Sequence, residues 1–270
     1  MKKVLFTLSF VAIFLIIATG AWATNGEVKW RQQPDVYTGL IIQSTEEEPI
    51  IADDWECTDP RPVTDVHFWG SYIGLEPPAG NPELQSQPAG VNGFVIRIYA
   101  DVPADPPDKP YSHPGELLYE MRINDFIENY LDFIILPDGT HKHRFSYSLD
   151  LPAPFHQEEG TIYWISIAAI MDDSTQFTWG WETSIDHWND YACRQWLYND
   201  YWEEITLDMH PWYPNPRADM AFELTVPPLP PPPLEPVKWQ QRPDMRQGVN
   251  IVSIPMISGE RIVRRVSKKK

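Results

Sequence analysis

Two imidazoles one residue apart, His141-x-His143, are the first side chains whose spacing could do chemistry. On a strand they project to one side, as in metal-binding jelly rolls, but no Glu follows at the spacing such folds use. With Lys142 between them and a turn just before, they read as surface histidines. Asp53-Asp54 and the pair Asp186 and Asp190 are better suited to a metal, because hard oxygen ligands spaced along loops can converge on one calcium ion. Each has a competing structural use: Asp53 could bond backbone amides at a strand edge, and Asp186 could cap a turn. Glu158-Glu159 and Glu203-Glu204 are adjacent pairs whose side chains point to opposite faces of a strand, so neither makes an acid/base couple by itself. There is no G-x-S-x-G, no H-E-x-x-H and no Gly-rich phosphate loop, and no catalytic residue is assigned.

The tryptophans offer a different chemistry. The chain has 12 of them, and an indole lying flat on a sheet stacks against the C–H face of a sugar while polar neighbours fix its hydroxyls. Trp179, Trp188, Trp196 and Trp202, set among Asp, Asn and Gln, form the candidate platform. Trp164 and Trp181 are assigned to the core. The expected partner is a polysaccharide or another cell-surface polymer. A purely structural spacer is the alternative, and a polysaccharide-cleaving enzyme is the weaker one.

Positioning these residues falls to short strands. Ile162 to Ile170 is apolar on both faces and, with the alternating Gln176 to Glu182, reads as a hairpin at the centre of the fold. A strand buried on both sides needs a layer above and a layer below. Further strands are expected at 50–57, 63–72, 93–100, 116–123, 143–149 and 219–226. Residues 192–198 and 201–205 read as a second hairpin, although Ile185, Trp188, Ala192 and Trp196 also fit helical spacing. Residues 124–136 fit either a short helix or a strand. The fold class is therefore all-β, an antiparallel, jelly-roll-like β-sandwich.

Met1 to Ala23 has the basic start, apolar centre and A-x-A ending of a signal peptide, and is short for a membrane span. The expected location is secreted, extracellular or periplasmic, with no membrane span after cleavage. The net charge of −17 repels phosphate backbones and argues against nucleic acid. Cys57 and Cys193, in an exported chain, are expected to form one disulfide.

The chain also repeats itself. Val28-Lys29-Trp30-Arg31-Gln32-Gln33-Pro34-Asp35 with Gly39 recurs as Val237-Lys238-Trp239-Gln240-Gln241-Arg242-Pro243-Asp244 with Gly248. This divides the chain into a β-sandwich domain at 28–226, a Pro-rich linker at 227–236 and the start of a second copy at 237–270. The linker is expected to hold an extended polyproline II form, and the basic end of the second copy to be a disordered tail. A truncated or shifted reading frame is the expected origin of that tail.

Four landmarks stand in order: Lys29-Trp30-x-Gln32-x-Pro34-Asp35, Ala52-Asp53-Asp54-Trp55-x-Cys57, Trp69-Gly70-Ser71-Tyr72, and Tyr163-Trp164 with Trp179-Gly180-Trp181-x-Thr183-Ser184-x-Asp186-His187-Trp188-x-Asp190. With Asp219-Met220-Ala221-Phe222 they resemble a family of secreted bacterial domains of unknown function, often found in tandem. The resemblance covers nearly all of residues 28 to 226. It implies a β-sandwich module and brings no catalytic residue with it.

Overall fold

A computed structural model describes residues 26–47, 49–75, 90–136, 139, 141–172, 177–196, 198–199, 201–207 and 217–230, together with the backbone of 249–255 and 261–267. The leader, most of the linker and the whole of the second copy's opening motif, 237–248, lie outside these residues. The described elements are all strands: β1 (Glu27–Gln32), β2 (Ile41–Gln43), β3 (Ile50–Glu56), β4 (Val63–Ile73), β5 (Val91–Val102), β6 (His113–Ile123), β7 (Ile127–Ile135), β8 (His141–Phe155), β9 (Ile162–Met171), β10 (Thr178–Glu182), β11 (Cys193–Gln195), β12 (Glu203–Glu204), β13 (Phe222–Val226), β14 (Val249–Pro255) and β15 (Arg261–Ser267). No described helix is long and apolar enough to cross a membrane.

The chain divides into two compact units, one ending at Pro228 and one beginning at Leu229. In the second, β14 and β15 pair antiparallel, Val252 opposite Arg264, so the expected disordered tail has strand backbone over Arg261–Ser267. In the first, two antiparallel sheets face each other. One runs β12-β11-β3-β9-β5-β6. In the other, β4 has β8 and then β7 along one edge, while its opposite edge is shared by β13 and β10, which carry β1 and β2 as outer strands.

Alternation sends Phe68, Phe145, Tyr147, Trp179, Trp181 and Phe222 from one sheet against Ile51, Trp55, Phe94, Ile96, Ile165 and Ile167 from the other. Phe94, Phe68, Tyr147 and Trp179 meet mostly edge-to-face; the Phe94 and Trp179 ring centroids are 5.2 Å apart. Gly70 belongs to this packing, since a Cβ there would stand 2.5 Å from Trp179 Cζ2.

β9 is buried on both faces, as its sequence requires, and lies between β3 and β5. Its outer face is covered by a second, smaller cluster in which Trp164 meets Ile50, Ala52, Tyr99, Cys193 and Trp202. The expected pairing of β9 with β10 does not occur: β10 pairs with β4 and β2 in the opposite sheet. Indoles at Trp179 and Trp181 pack best across the sandwich from β9, which requires the chain to cross between sheets. Residues 127–135 form a strand and not a helix, and 193–195 with 203–204 form the expected hairpin.

The disulfide is not formed; Cys57 and Cys193 are both free and buried. Cys193 lies opposite Ala52, so Cys57 is five residues further along β3, about 17 Å away at the rise of a strand. A bridge needs Cα atoms about 4.4–6.8 Å apart. The two thiols also face different clusters, Cys57 the main core and Cys193 the outer one.

Candidate functional site

The N-terminal motif is laid out residue by residue at one end of the sandwich. Lys29 Nζ donates to the Asp59 carbonyl and lies 3.3 Å from Cys57 Sγ. Trp30 meets Trp188 edge-on with ring centroids 5.1 Å apart. Gln32 Nε2 donates to Asp53 Oδ2 at 3.3 Å, and Pro34 bridges to Ser184. Asp35 accepts from Thr38 N–H at 3.0 Å and from Thr38 Oγ1 at 2.6 Å, closing a turn. A Cβ at Gly39 would fall 2.3 Å from the Asp35 carbonyl, so this turn needs glycine.

Above that turn lies an ionic group that spacing alone did not single out. Glu182 is fully buried and takes Lys142 Nζ at 2.7 Å and Arg144 Nε at 3.0 Å. Lys142 also donates to the Gly39 carbonyl at 3.0 Å, and Arg144 reaches Asp132 at 2.9 Å. Burial pulls Lys142 down and pushes Glu182 up, each toward neutrality. The charges of Lys142 and Arg144 oppose the shift at Glu182, and the charge of Glu182 opposes the one at Lys142.

The acidic residues divide. Asp53, fully buried on the core face of β3, accepts from Met220 N–H at 2.6 Å and from Asp54 N–H at 3.0 Å, the amide-binding role set out as its structural alternative. Asp54 points to the other face, where Asn189 Nδ2 donates to it at 2.7 Å. Asp190 accepts from Ser112 Oγ at 2.6 Å and Ser112 N–H at 3.1 Å, while Asp186 accepts from Gln33 N–H at 2.7 Å. Each of the four carboxylates is taken up in fastening chain segments, Asp54 and Asp190 sharing Asn189, and among the described residues no group of three or more His, Cys, Asp or Glu is arranged to hold a metal.

Asp219, absent from the expected site, completes the acidic group. Its Oδ2 meets His187 Nδ1 at 2.7 Å, and the His187 ring stacks on Tyr191 at 4.1 Å. Burial, with the charge of Asp53, pushes the Asp54 carboxyl up to about 9. Burial, with the charge of Asp54, pushes Asp219 up to about 8. Burial and Asp219 likewise raise Asp53, and burial raises the Cys193 thiol. Asp35, Thr38, Asp186, His187, Arg217 and Asp219 line an open cleft of about 240 Å³ here. Asp219 Oδ1 is buried without a partner, so the cleft offers the exposed His187 rather than this carboxylate to a solute.

The four-tryptophan platform does not assemble. Trp179 is fully buried and Trp202 is 5% exposed, packed on Tyr99. Trp188 is half-buried against Trp30, and Trp196 is likewise half-buried, at the end of β11. There its ring stacks on Tyr198 with centroids 5.9 Å apart at 19°, and Arg194 lies over it at 5.1 Å. Trp196 Nε1 donates to Glu203 Oε1, which also receives Arg194. Tyr198 is 73% exposed and Tyr201 55%. Those tyrosines stand on either side of the sequence Asn199-Asp200, a turn-forming pair between the two arms of the hairpin, and that position is the signal that could have found them.

His141 and His143 both pack against Phe133, at 5.1 and 5.0 Å. His143 is buried, contrary to the surface placement expected for it. Glu203 serves Arg194, Glu204 serves Arg217, and Glu158 and Glu159 are exposed.

Residues 28–225 match the model of a family described as a domain of unknown function (DUF7901). No curated protein matches the chain.

Proposed function

We propose that this chain, which belongs to the DUF7901 family, acts as an exported, non-catalytic β-sandwich module that holds a neutral polysaccharide at the tip of the β11–β12 hairpin. The observation that carries the reading is the pair of exposed rings Tyr198 and Tyr201 beside the half-buried Trp196, whose ring lies nearly parallel to that of Tyr198. With one face stacked on Trp196, the exposed Tyr198 ring offers its other face to a pyranose, and Arg194 and Glu203 beside the pair supply a donor and an acceptor for hydroxyls. A net charge of −17 disfavours uronate or sulfated polymers and leaves neutral ones. The leader Met1 to Ala23 supports export.

Co-sedimentation with insoluble cellulose, chitin and mannan tests the reading. The parent is expected to sediment with at least one of them, and W196A/Y198A to remain in solution with an unchanged urea midpoint. Equal sedimentation of parent and variant would overturn the aromatic tip. A parent that sediments with none would favour a structural spacer, which the burial of Trp179 and Trp202 also supports.

A further inference from the structure

The repeated motif keeps the residues that, in its first copy, make a specific set of contacts. β1 stands at the edge of its sheet, paired with β13 alone, Trp30 opposite Leu224 and Gln32 opposite Phe222. Its removal would break no other strand pair. What holds residues 28–39 in this seat is specific: Lys29 on the turn at Asp59, Trp30 on Trp188, Gln32 on buried Asp53, Pro34 at Ser184, Asp35 closing its turn and Gly39 fitting beneath it. Each of these six residues recurs, as Lys238, Trp239, Gln241, Pro243, Asp244 and Gly248.

The differences fall where the seat makes few demands. Gln33 engages its surroundings through its backbone, its N–H bonded to Asp186 and its carbonyl to Ser184 Oγ, so Arg242 can stand there. Tyr37 is 77% exposed, and Arg246 replaces it. Gln240 in place of Arg31 gives up an ion pair with Glu223, but Arg31 is half-exposed and such pairs contribute little. Gln247 in place of Thr38 loses one hydroxyl bond and keeps the backbone donor to the Asp position.

We propose that residues 237–248 of one molecule take the edge position of residues 28–39 in a second molecule, so that this chain associates with copies of itself by strand exchange. Like contacts replace like, so the exchanged and resident states differ little in contact energy and concentration decides between them. Seven prolines among residues 227–236 resist the tight reversal that would bring 237–248 beside β13 of the same molecule, which favours a partner molecule. The contact is head-to-tail, so it builds rings or open chains and not only dimers. The resident strand is tethered and competes at an effective concentration of about 1 mM or more, so exchange needs concentrated protein and a transient release of the edge.

The test is light scattering coupled to size-exclusion chromatography on the full chain, refolded from urea at about 1 mM and at about 1 µM. Multiples of the monomer mass are expected only from the concentrated sample. W239A/P243A lies outside the resident domain and is expected to abolish the multiples with no change in the urea midpoint. W30A weakens the resident strand and is expected to increase them. Monomer alone at both concentrations would overturn the proposal. So would multiples of undiminished yield in W239A/P243A, which would place the association on another surface.

Discussion

Replacing Glu182 with Gln keeps the shape of the side chain and removes the one negative charge between Lys142 and Arg144. Arg144 retains Asp132 at 2.9 Å, but Lys142, 1% exposed, is left with neutral acceptors, the carbonyls of Asp35 and Gly39 and the new amide oxygen. The cheapest escape for a buried ammonium is to lose its proton. From a solution pKa of about 10.4, neutralisation at pH 7 costs about 4.6 kcal/mol, a ceiling on the damage from this source. Breaking a buried pair by removing one partner costs about 3–5 kcal/mol, so the two figures agree. They also fix a pH dependence. In E182Q the folded-state pKa of Lys142 is depressed, so the unfolded chain binds the extra proton and stability rises with pH up to about 10. Urea denaturation followed by tryptophan fluorescence should show E182Q about 3–5 kcal/mol less stable at pH 7. The deficit should shrink by up to about 1.4 kcal/mol per pH unit toward pH 10. A deficit below about 1 kcal/mol at pH 7, or one that stays flat to pH 10, would refute the claim that Glu182 holds a buried cation in place.

Three further outcomes follow from the same geometry. Gly39→Ala forces a Cβ against the Asp35 carbonyl and should cost about 1–3 kcal/mol in urea denaturation, where a neutral result would show that the turn relaxes. Asp54 and Asp219, raised to about 9 and about 8, bind more protons folded than unfolded, so their contribution declines as pH climbs from about 5 to about 9; the melting temperature should fall over that window, and less steeply in D219N. The free, buried thiols should react with a thiol reagent only after unfolding, two per chain, and non-reducing and reducing gels should show the same mobility.

The sandwich was legible because period-two alternation and a strand apolar on both faces are direct consequences of two packed layers. The pairing of that strand was not, since adjacency along the chain suggests a hairpin, whereas β9 and β10 lie in opposite sheets. The burial of Trp179 is legible in the strand pattern. Trp179 and Trp181 are two residues apart on one strand, so assigning Trp181 to the core assigns Trp179 as well. Trp202 is different: it covers the outer face of β9, and no local pattern announces a second cluster there. The acidic residues stand out in the sequence, but their hydrogen-bond partners at Gln32, Met220, Ser112 and Asn189 are distant along the chain. Calcium coordination and loop fastening look alike until those partners are known.

The landmark segments come together where the chain start is fastened under the loop from Thr183 to Tyr191 and the strand entry at Asp219. Lys29, Trp30, Gln32, Asp53, Trp188 and Asp219 are each engaged with another such segment or with a turn beside it. These residues close the end of the sandwich, and a buried side chain already engaged in closure is poorly placed to take a ligand. Trp196, Tyr198 and Tyr201 lie outside every landmark and bear none of that work. The hairpin tip is therefore free to change without loss of the fold, and two domains sharing all the landmarks need not share a ligand. Grafting a different tip between Trp196 and Trp202, which leaves the cluster over β9 intact, should accordingly keep the unfolding free energy within about 0.5 kcal/mol of the parent while altering which polysaccharide is bound. A graft that unfolds the domain would show that the tip belongs to the closure.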